Sequence, residues 1–333
     1  MTTVLEGKNL RAYYMTKSYG IQRTVHAVDD VSIEINQDEI LGIAGESGCG
    51  KSTLLKVLFG IIKPPLQVVN GNVGYYHNNA EIDLLGLSDD EYRQIRWKEL
   101  SYIPQGSMSV LNPLRRIRKT FQDFIETHRP QTTKQEFEPL VTNHLGGLGL
   151  PAEVLDAYPH QLSGGMRQRV TIALATILKP RVIFADEPTT ALDVIVQSGV
   201  IDLLRTIQKE EKNSLVLVTH DMGIHANLAD RIAIMYAGQI IEEAPTEKIF
   251  GNPQHPYTYY LIHSLPRIGD KSYRISSPGR PPSLLDPPVG CRFLDRCEHR
   301  TDRCKQHRPP LVNIADDHKV ACFLATEEGT HAS

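Results

Sequence analysis

Apolar and polar positions alternate with two distinct periods along this chain. Before residue 44 the apolar residues alternate in VSIEI (31–35) and then run together in ILGIAG (40–45), which predicts short β segments ending at a glycine. KSTLLKVLFGII (51–62) has helical spacing and follows a glycine-rich turn, so strand, turn and helix are expected in succession. Helix formers dominate from 86 to 160, where LSDDEYRQIRWKEL (87–100) opens on Ser88, a residue able to cap a helix. A further helical run covers 165–178, PRVIFAD (180–186) reads as a buried strand, SGVIDLLRTIQKEEKN (198–213) as an amphipathic helix, and SLVLVTHD (214–221) as a second buried strand. Apolar runs alternating with helices predict an α/β fold with a mostly parallel sheet. After Gly238 the pattern loosens, and frequent proline between 245 and 290 predicts a linker or a wrapped, irregular segment. No internal repeat or low-complexity tract is present.

Composition narrows this picture only slightly. The 333 residues suggest two or three domains, and a net charge of −3 gives no global basic surface for nucleic acid. The N-terminal MTTVLEGKNLRAYY lacks the charged start and apolar run of a signal peptide, and no window approaches ~18 consecutive apolar residues. A cytosolic protein is expected, in which disulfides are rare.

Candidate chemistry begins with GESGCGKS, Gly45 to Ser52, which matches G-x-x-x-x-G-K-[ST] between a predicted strand and a predicted helix. Such a loop turns backbone N–H groups toward phosphate oxygens and adds the helix dipole. Lys51 is expected to pair with the β and γ phosphates of a nucleoside triphosphate, and the Ser52 hydroxyl to ligate Mg²⁺. Asp186 and Glu187 end the strand VIFAD at the sheet end where α/β proteins bind ligands. Asp186 fits a metal-side carboxylate, and Glu187 is placed to polarise the attacking water.

LSGGMRQR (162–169) resembles the signature sequence of the ABC ATPases. Gln105 in SYIPQG matches that family's Q-loop, Ala191-Leu192-Asp193 its D-loop, and His220 in LVLVTHD its switch histidine, all in the family's order. The resemblance implies a P-loop (RecA-like) core with an antiparallel β-subdomain and a helical subdomain at about 106–165, together spanning 1–245. It implies ATP and Mg²⁺ as cofactors. Glu187, His220 and Gln105 take catalytic roles, and Ser52, Gln105 and Asp186 lie around the metal. Gly45, Ser47, Gly48, Cys49, Gly50, Lys51, Ser52 and Thr53 cradle the phosphates, Cys49 being a small filler that contributes only backbone. Two such domains meet head to tail, so Ser163, Gly164, Gly165 and Asp193 would act on ATP held by a second, identical or homologous, subunit. Adenine is expected to stack on Tyr14, with Tyr19 and Tyr13 as alternatives.

QGSMSVLNP (105–113), AVDDVS (27–32) and MYAGQIIEEAPTEKIFGNPQHPYTYYLIHSLP (235–266) are similar to oligopeptide and dipeptide importer ATPases, with nickel importers sharing these features. That resemblance implies a subunit at the cytoplasmic face of the membrane, working with two transmembrane permeases and indirectly with a solute-binding protein. A different-class alternative is an ABC ATPase acting on nucleic acid. The single P-loop, single signature and absence of a long heptad run count against it.

The same subfamily carries a C-terminal region of the form GC-x-F-x-x-RC…C…C, matched here by Gly290-Cys291, Phe293, Arg296-Cys297, Cys304 and Cys322. No C-x-x-C pair is present, so disulfides, a structural Zn²⁺ site and a [4Fe–4S] cluster all remain open from spacing alone. The resemblance favours the iron–sulfur cluster, in a small irregular metal-binding region at 246–333. Replacing any one of the four cysteines is expected to release the metal and loosen 288–323, leaving ATP binding by Lys51 and Ser52 intact.

Overall fold

The protein was analysed as a computed structural model that describes residues 2–78, 80–106, 110–265 and 277–325. The chain forms two units, one of residues 1–85 and 218–333, the other of residues 86–217.

The first unit opens with β1 (Thr3–Ser18) and β2 (Ile21–Asn36), a hairpin paired from Thr3↔Asn36 to Ser18↔Ile21 with register shifts along it, and longer than the short segments expected. Then come β3 (Ile40–Ala44), buried throughout, and α1 (Lys51–Leu58), which buries Leu54, Leu55, Val57 and Leu58. β4 (Leu66–His77) and β5 (Ala80–Asp83) complete an antiparallel sheet of order β2-β1-β4-β5.

The second unit contains α2 (Asp89–Ile95), β6 (Leu100–Ile103), α3 (Ile117–His128), α4 (Lys134–Gly147), α5 (Gly164–Thr176), β7 (Val182–Asp186), α6 (Val194–Glu211) and β8 (Ser214–Val218). Within it β6 runs parallel to β7, and β7 lies between β6 and β8. Ser88 does cap α2, its hydroxyl accepting from Glu91 N while Glu91 returns a bond to Ser88 N. The helix nevertheless stops well short of residue 100. Arg96 is extended and Trp97 left-handed (φ 71°), its indole packing edge-on against Phe124 with ring centroids 5.5 Å apart. Tertiary packing of one large ring overrides local helix preference there.

Back in the first unit follow α7 (Met222–Leu228), β9 (Arg231–Tyr236), β10 (Gln239–Pro245), α8 (Thr246–Gly251), α9 (Pro256–His263), α10 (Asp302–Gln306), β11 (Val312–Ala315) and β12 (His318–Val320). β3 is parallel to β9, and β10, β12 and β11 add antiparallel strands in that order. The proline-rich stretch is therefore not simply a linker, since two helices occupy 246–263. The tail is also joined to the core: Phe293, 1% exposed, packs among Tyr257, Tyr260 and His255 and against Tyr236 of β9.

Candidate nucleotide site

The glycine-rich loop links β3 to α1 and depends on backbone conformations open only to glycine. At Gly45 (φ 151°) a Cβ would sit 2.1 Å from Met235 O, and at Gly50 (φ 109°) 2.0 Å from Ala27 O. Lys51 is buried, and its ammonium donates to Gly45 O (2.8 Å) and Glu46 O (2.9 Å), so the charge lies inside the loop. Cys49 is the expected filler: burial pushes its thiol up, the neighbouring Lys51 ammonium opposing this in part. Ser47 and Gly48 are exposed, and Ser52 is half-buried on the first turn of α1. A glycine loop with a buried cation and a helix start suits a polyphosphate.

Of the three tyrosines considered for adenine, Tyr14 is the one that meets the loop's helix, with its hydroxyl 3.2 Å from Thr53 Oγ1. Tyr13 is engaged elsewhere, donating to Asp29 Oδ1 (2.6 Å) and packing on His26, while Tyr19 stands fully exposed at the hairpin tip. His220 is exposed just after β8, directly before Asp221, which caps α7 by accepting from Gly223 N and Ile224 N.

In the second unit the strand end carries the two acids in different states. Asp186 is 2% exposed and accepts the Tyr102 hydroxyl at Oδ2 (2.9 Å). Glu187 adopts φ 47°, turning its carboxylate to accept from Gln105 Nε2 (3.0 Å) and Thr190 Oγ1 (2.9 Å). The structure brings Gln105 and Glu187 together and adds Tyr102 and Thr190 beside the two acids, which no sequence pattern marked. Residues 107–109 of QGSMSVLNP lie outside the described residues. Ser163 is exposed and N-caps α5, with Gly164 and Gly165 in the first turn. Asp193 is also exposed and N-caps α6 through Val196 N (3.0 Å). Both loops therefore lead into capped helices whose capping residues are exposed.

The cysteine expectation needs correction. No disulfide joins any of the five cysteines. Among the described residues, however, no three His, Cys, Asp or Glu side chains gather as a group able to hold a metal ion. As placed, Cys291, Cys297, Cys304 and Cys322 therefore form neither the compact set of a zinc staple nor a set gathered for the expected iron–sulfur cluster. They remain neighbours all the same: Cys291 N donates to Cys304 O (2.8 Å). Burial pushes the Cys291 thiol up to about 12 and raises those of Cys297 and Cys322, with mutual repulsion among the sulfurs adding to it. Backbone N–H groups of Phe293 and His299 meet the sulfurs of Cys291 and Cys297, and those of Ala325 and Leu324 meet the sulfur of Cys322.

Among the described residues no helix is long and apolar enough to cross a membrane. The family model for ABC transporters matches residues 28–190, and that for the oligopeptide/dipeptide transporter C-terminal region matches 241–304. The chain is 39% identical to the dipeptide transport ATP-binding protein of Bacillus subtilis over 335 residues, covering 100% of this chain and 98% of that one. A protein of the same description from Caldanaerobacter subterraneus is 39% identical, covering 98% of both chains, and one from Escherichia coli is 40% identical over 91% of this chain and 92% of its own. A solved dimeric ATP-binding cassette, in a post-hydrolysis state with ADP and phosphate, superposes with TM-score 0.62 at 29% identity, covering 73% of this chain and 98% of that one. The chain belongs to the ATP-binding subunits of the ABC transporters, in the group that carries the oligopeptide/dipeptide C-terminal region.

Proposed function

We propose that this chain is the ATP-hydrolysing subunit of an importer that powers uptake of di- or oligopeptides through partner membrane permeases. The observation that carries the ATPase reading is the buried Lys51 in a loop whose Gly45 and Gly50 leave no space for a side chain. The peptide substrate rests on the full-length relatives named above. In this reading residues 1–245 form the nucleotide-binding domain, with its helical part near 106–165, and 246–333 the importer-type C-terminal region.

Lys51 neutralises the β and γ phosphates, and loop amides take their oxygens. The Ser52 hydroxyl and Asp186 carboxylate are hard oxygen donors of the kind Mg²⁺ takes, and bound Mg²⁺ would offset charge on the phosphates. Glu187, turned by Thr190 and Gln105, orients the attacking water and accepts its proton, with His220 contacting the γ phosphate. Ser163, Gly164, Gly165 and Asp193 act on ATP held by a second ATPase subunit. Ser163→Arg should therefore spare nucleotide binding by the isolated subunit while blocking the partner's site in mixed dimers. Inactivation of only its own loop's site would remove the trans arrangement. The transport reading is tested in cells lacking this gene: dipeptide uptake should be lost and free amino-acid uptake kept. Loss of nickel uptake instead would change the cargo, and unchanged uptake of both would overturn the reading.

The four cysteines are proposed to hold an iron–sulfur cluster. This reading rests on the resemblance of the four-cysteine spacing to the importer subfamily, and binding would have to draw the four sulfurs around one centre. The backbone N–H groups on three of the sulfurs suit thiolate ligands. Such a centre would serve as a structural staple. Metal analysis of anaerobically purified protein should find about four irons with acid-labile sulfide. One zinc without sulfide replaces the cluster with a staple of another kind, and no metal refutes both.

A further inference from the structure

The residue after the first loop glycine, Glu46, is held by side chains from the far end of the chain. Its backbone N–H donates to the Tyr257 hydroxyl (2.9 Å), and its carboxylate receives both terminal nitrogens of Arg296 (2.9 and 3.0 Å). Neither partner is loosely held. Tyr257 sits in the first turn of α9, which His255 caps by accepting Tyr257 N at Nδ1 (3.0 Å). Burial pushes His255 down to about 4, which keeps the ring neutral and leaves one nitrogen able to accept this bond. His255 N and Gln254 N in turn donate to the buried Glu242 carboxylate. Arg296 is 6% exposed; it also donates to Pro278 O (2.8 Å) and Tyr236 OH (3.2 Å), and Phe293 packs against the same tyrosines. The HPYT turn is thus a bracket that aims one hydroxyl at the phosphate loop.

A second arginine from the same short segment supports the other end of the loop. Gly238 N donates to Cys49 O (2.8 Å), and the turn carrying Gly238 is held by Arg292, which donates to Ala237 O and pairs with Asp29. Arg292 and Arg296 both lie between Cys291 and Cys297.

We propose that Arg296 and Tyr257 are positioning residues for nucleotide binding, so that ATP affinity depends on the C-terminal region being seated on the loop. This rests on the reading of the loop as an ATP site. The reason is twofold. A glycine-rich loop loses much conformational freedom when it closes on an anion, and holding Glu46 beforehand lowers that loss. Glu46 also places a negative charge in the loop that must receive a polyphosphate, and Arg296 neutralises it. The expectation that cysteine replacement leaves ATP binding intact is accordingly reversed: whatever unseats 291–297 removes the clamp.

The test is a titration of the full-length subunit with a fluorescent ATP analogue, with thermal midpoints taken on the same samples. Arg296→Gln should weaken binding about tenfold, the scale of losing a charge-assisted hydrogen bond, with kcat at saturating ATP kept. Adding Glu46→Gln to that variant should restore affinity to within about threefold of wild type, because the unpaired charge is gone. A merely structural role gives no such rescue. Tyr257→Phe, which keeps the ring and removes the acceptor, should weaken binding about threefold. It carries the test if the arginine variants do not fold. Affinities within twofold of wild type in Arg296→Gln or Tyr257→Phe, or a double variant no better than Arg296→Gln, overturn the proposal. Wild type that bound no ATP would instead remove the ATP reading itself, a result visible before any variant is measured.

Discussion

The glycine-rich loop and the acidic strand end, both assigned to ATP, are held by partners at very different distances along the chain. Glu46 is fixed by Tyr257 and Arg296, 211 and 250 positions away. Asp186 accepts from Tyr102, 84 positions away, and Glu187 from Gln105 and Thr190, 82 and 3 positions away, three partners that lie in the same unit as the acids. The difference follows from what each must do. A carboxylate on a short buried strand needs only orientation, which one or two hydroxyls and an amide supply. The loop's glycines have no side chains to pack, so it borrows rigidity from distant elements through Glu46. Damage to the tail should therefore appear in binding, and damage around Glu187 in turnover.

The largest expected effect is at the acid. Glu187→Gln keeps the shape and loses the basicity, so kcat should fall by about 10²–10⁴ while ATP affinity stays near wild type. Steady-state hydrolysis beside a nucleotide titration checks both, and wild-type turnover would end the role assigned to Glu187. Next comes the tail core. Phe293→Ala should cost about 3–5 kcal/mol in a denaturant melt and weaken ATP binding with it, since Phe293 backs the tyrosines that hold Arg296 and Glu46. If stability falls and binding does not, the contrast between the two regions is lost. Tyr14→Ala should weaken ATP binding by roughly 1–3 kcal/mol, the loss of one stacking platform, with kcat unmoved. An unchanged dissociation constant returns the role to Tyr19 or Tyr13. The smallest effect is expected of Thr190→Val, which removes one bond to Glu187 and should lower kcat by a factor equivalent to about 1–2 kcal/mol without touching affinity. A loss of binding in that variant would show that the two regions are not separable.

Much of the molecule was legible because its signals are local. The capping box at Ser88 and Glu91, the buried run 182–186 and the left-handed glycines of the loop each express their physics within a few residues. The α2 helix was overestimated because Trp97 takes a left-handed turn that only its packing against Phe124 rewards. The tail was underestimated for a related reason. VNIA and HKV are too short to read as strands, and they become strands by adding to an existing edge at β10.

By itself the sequence determined the chemistry and its order: a phosphate loop, two acids at a strand end, a signature loop, and cysteines gathered near the end. These rest on backbone freedom and side-chain identity, which a short stretch carries with it. Only the tertiary structure decided that Glu46 is a clamped residue, that HPYT supplies one half of the clamp, and that the cysteine segment presents Arg296 to the loop and Arg292 to the turn beside it. Glu46 occupies a motif position where any residue is allowed. Its partners are distant in sequence, and a hydrogen bond between distant residues leaves no periodic trace in either.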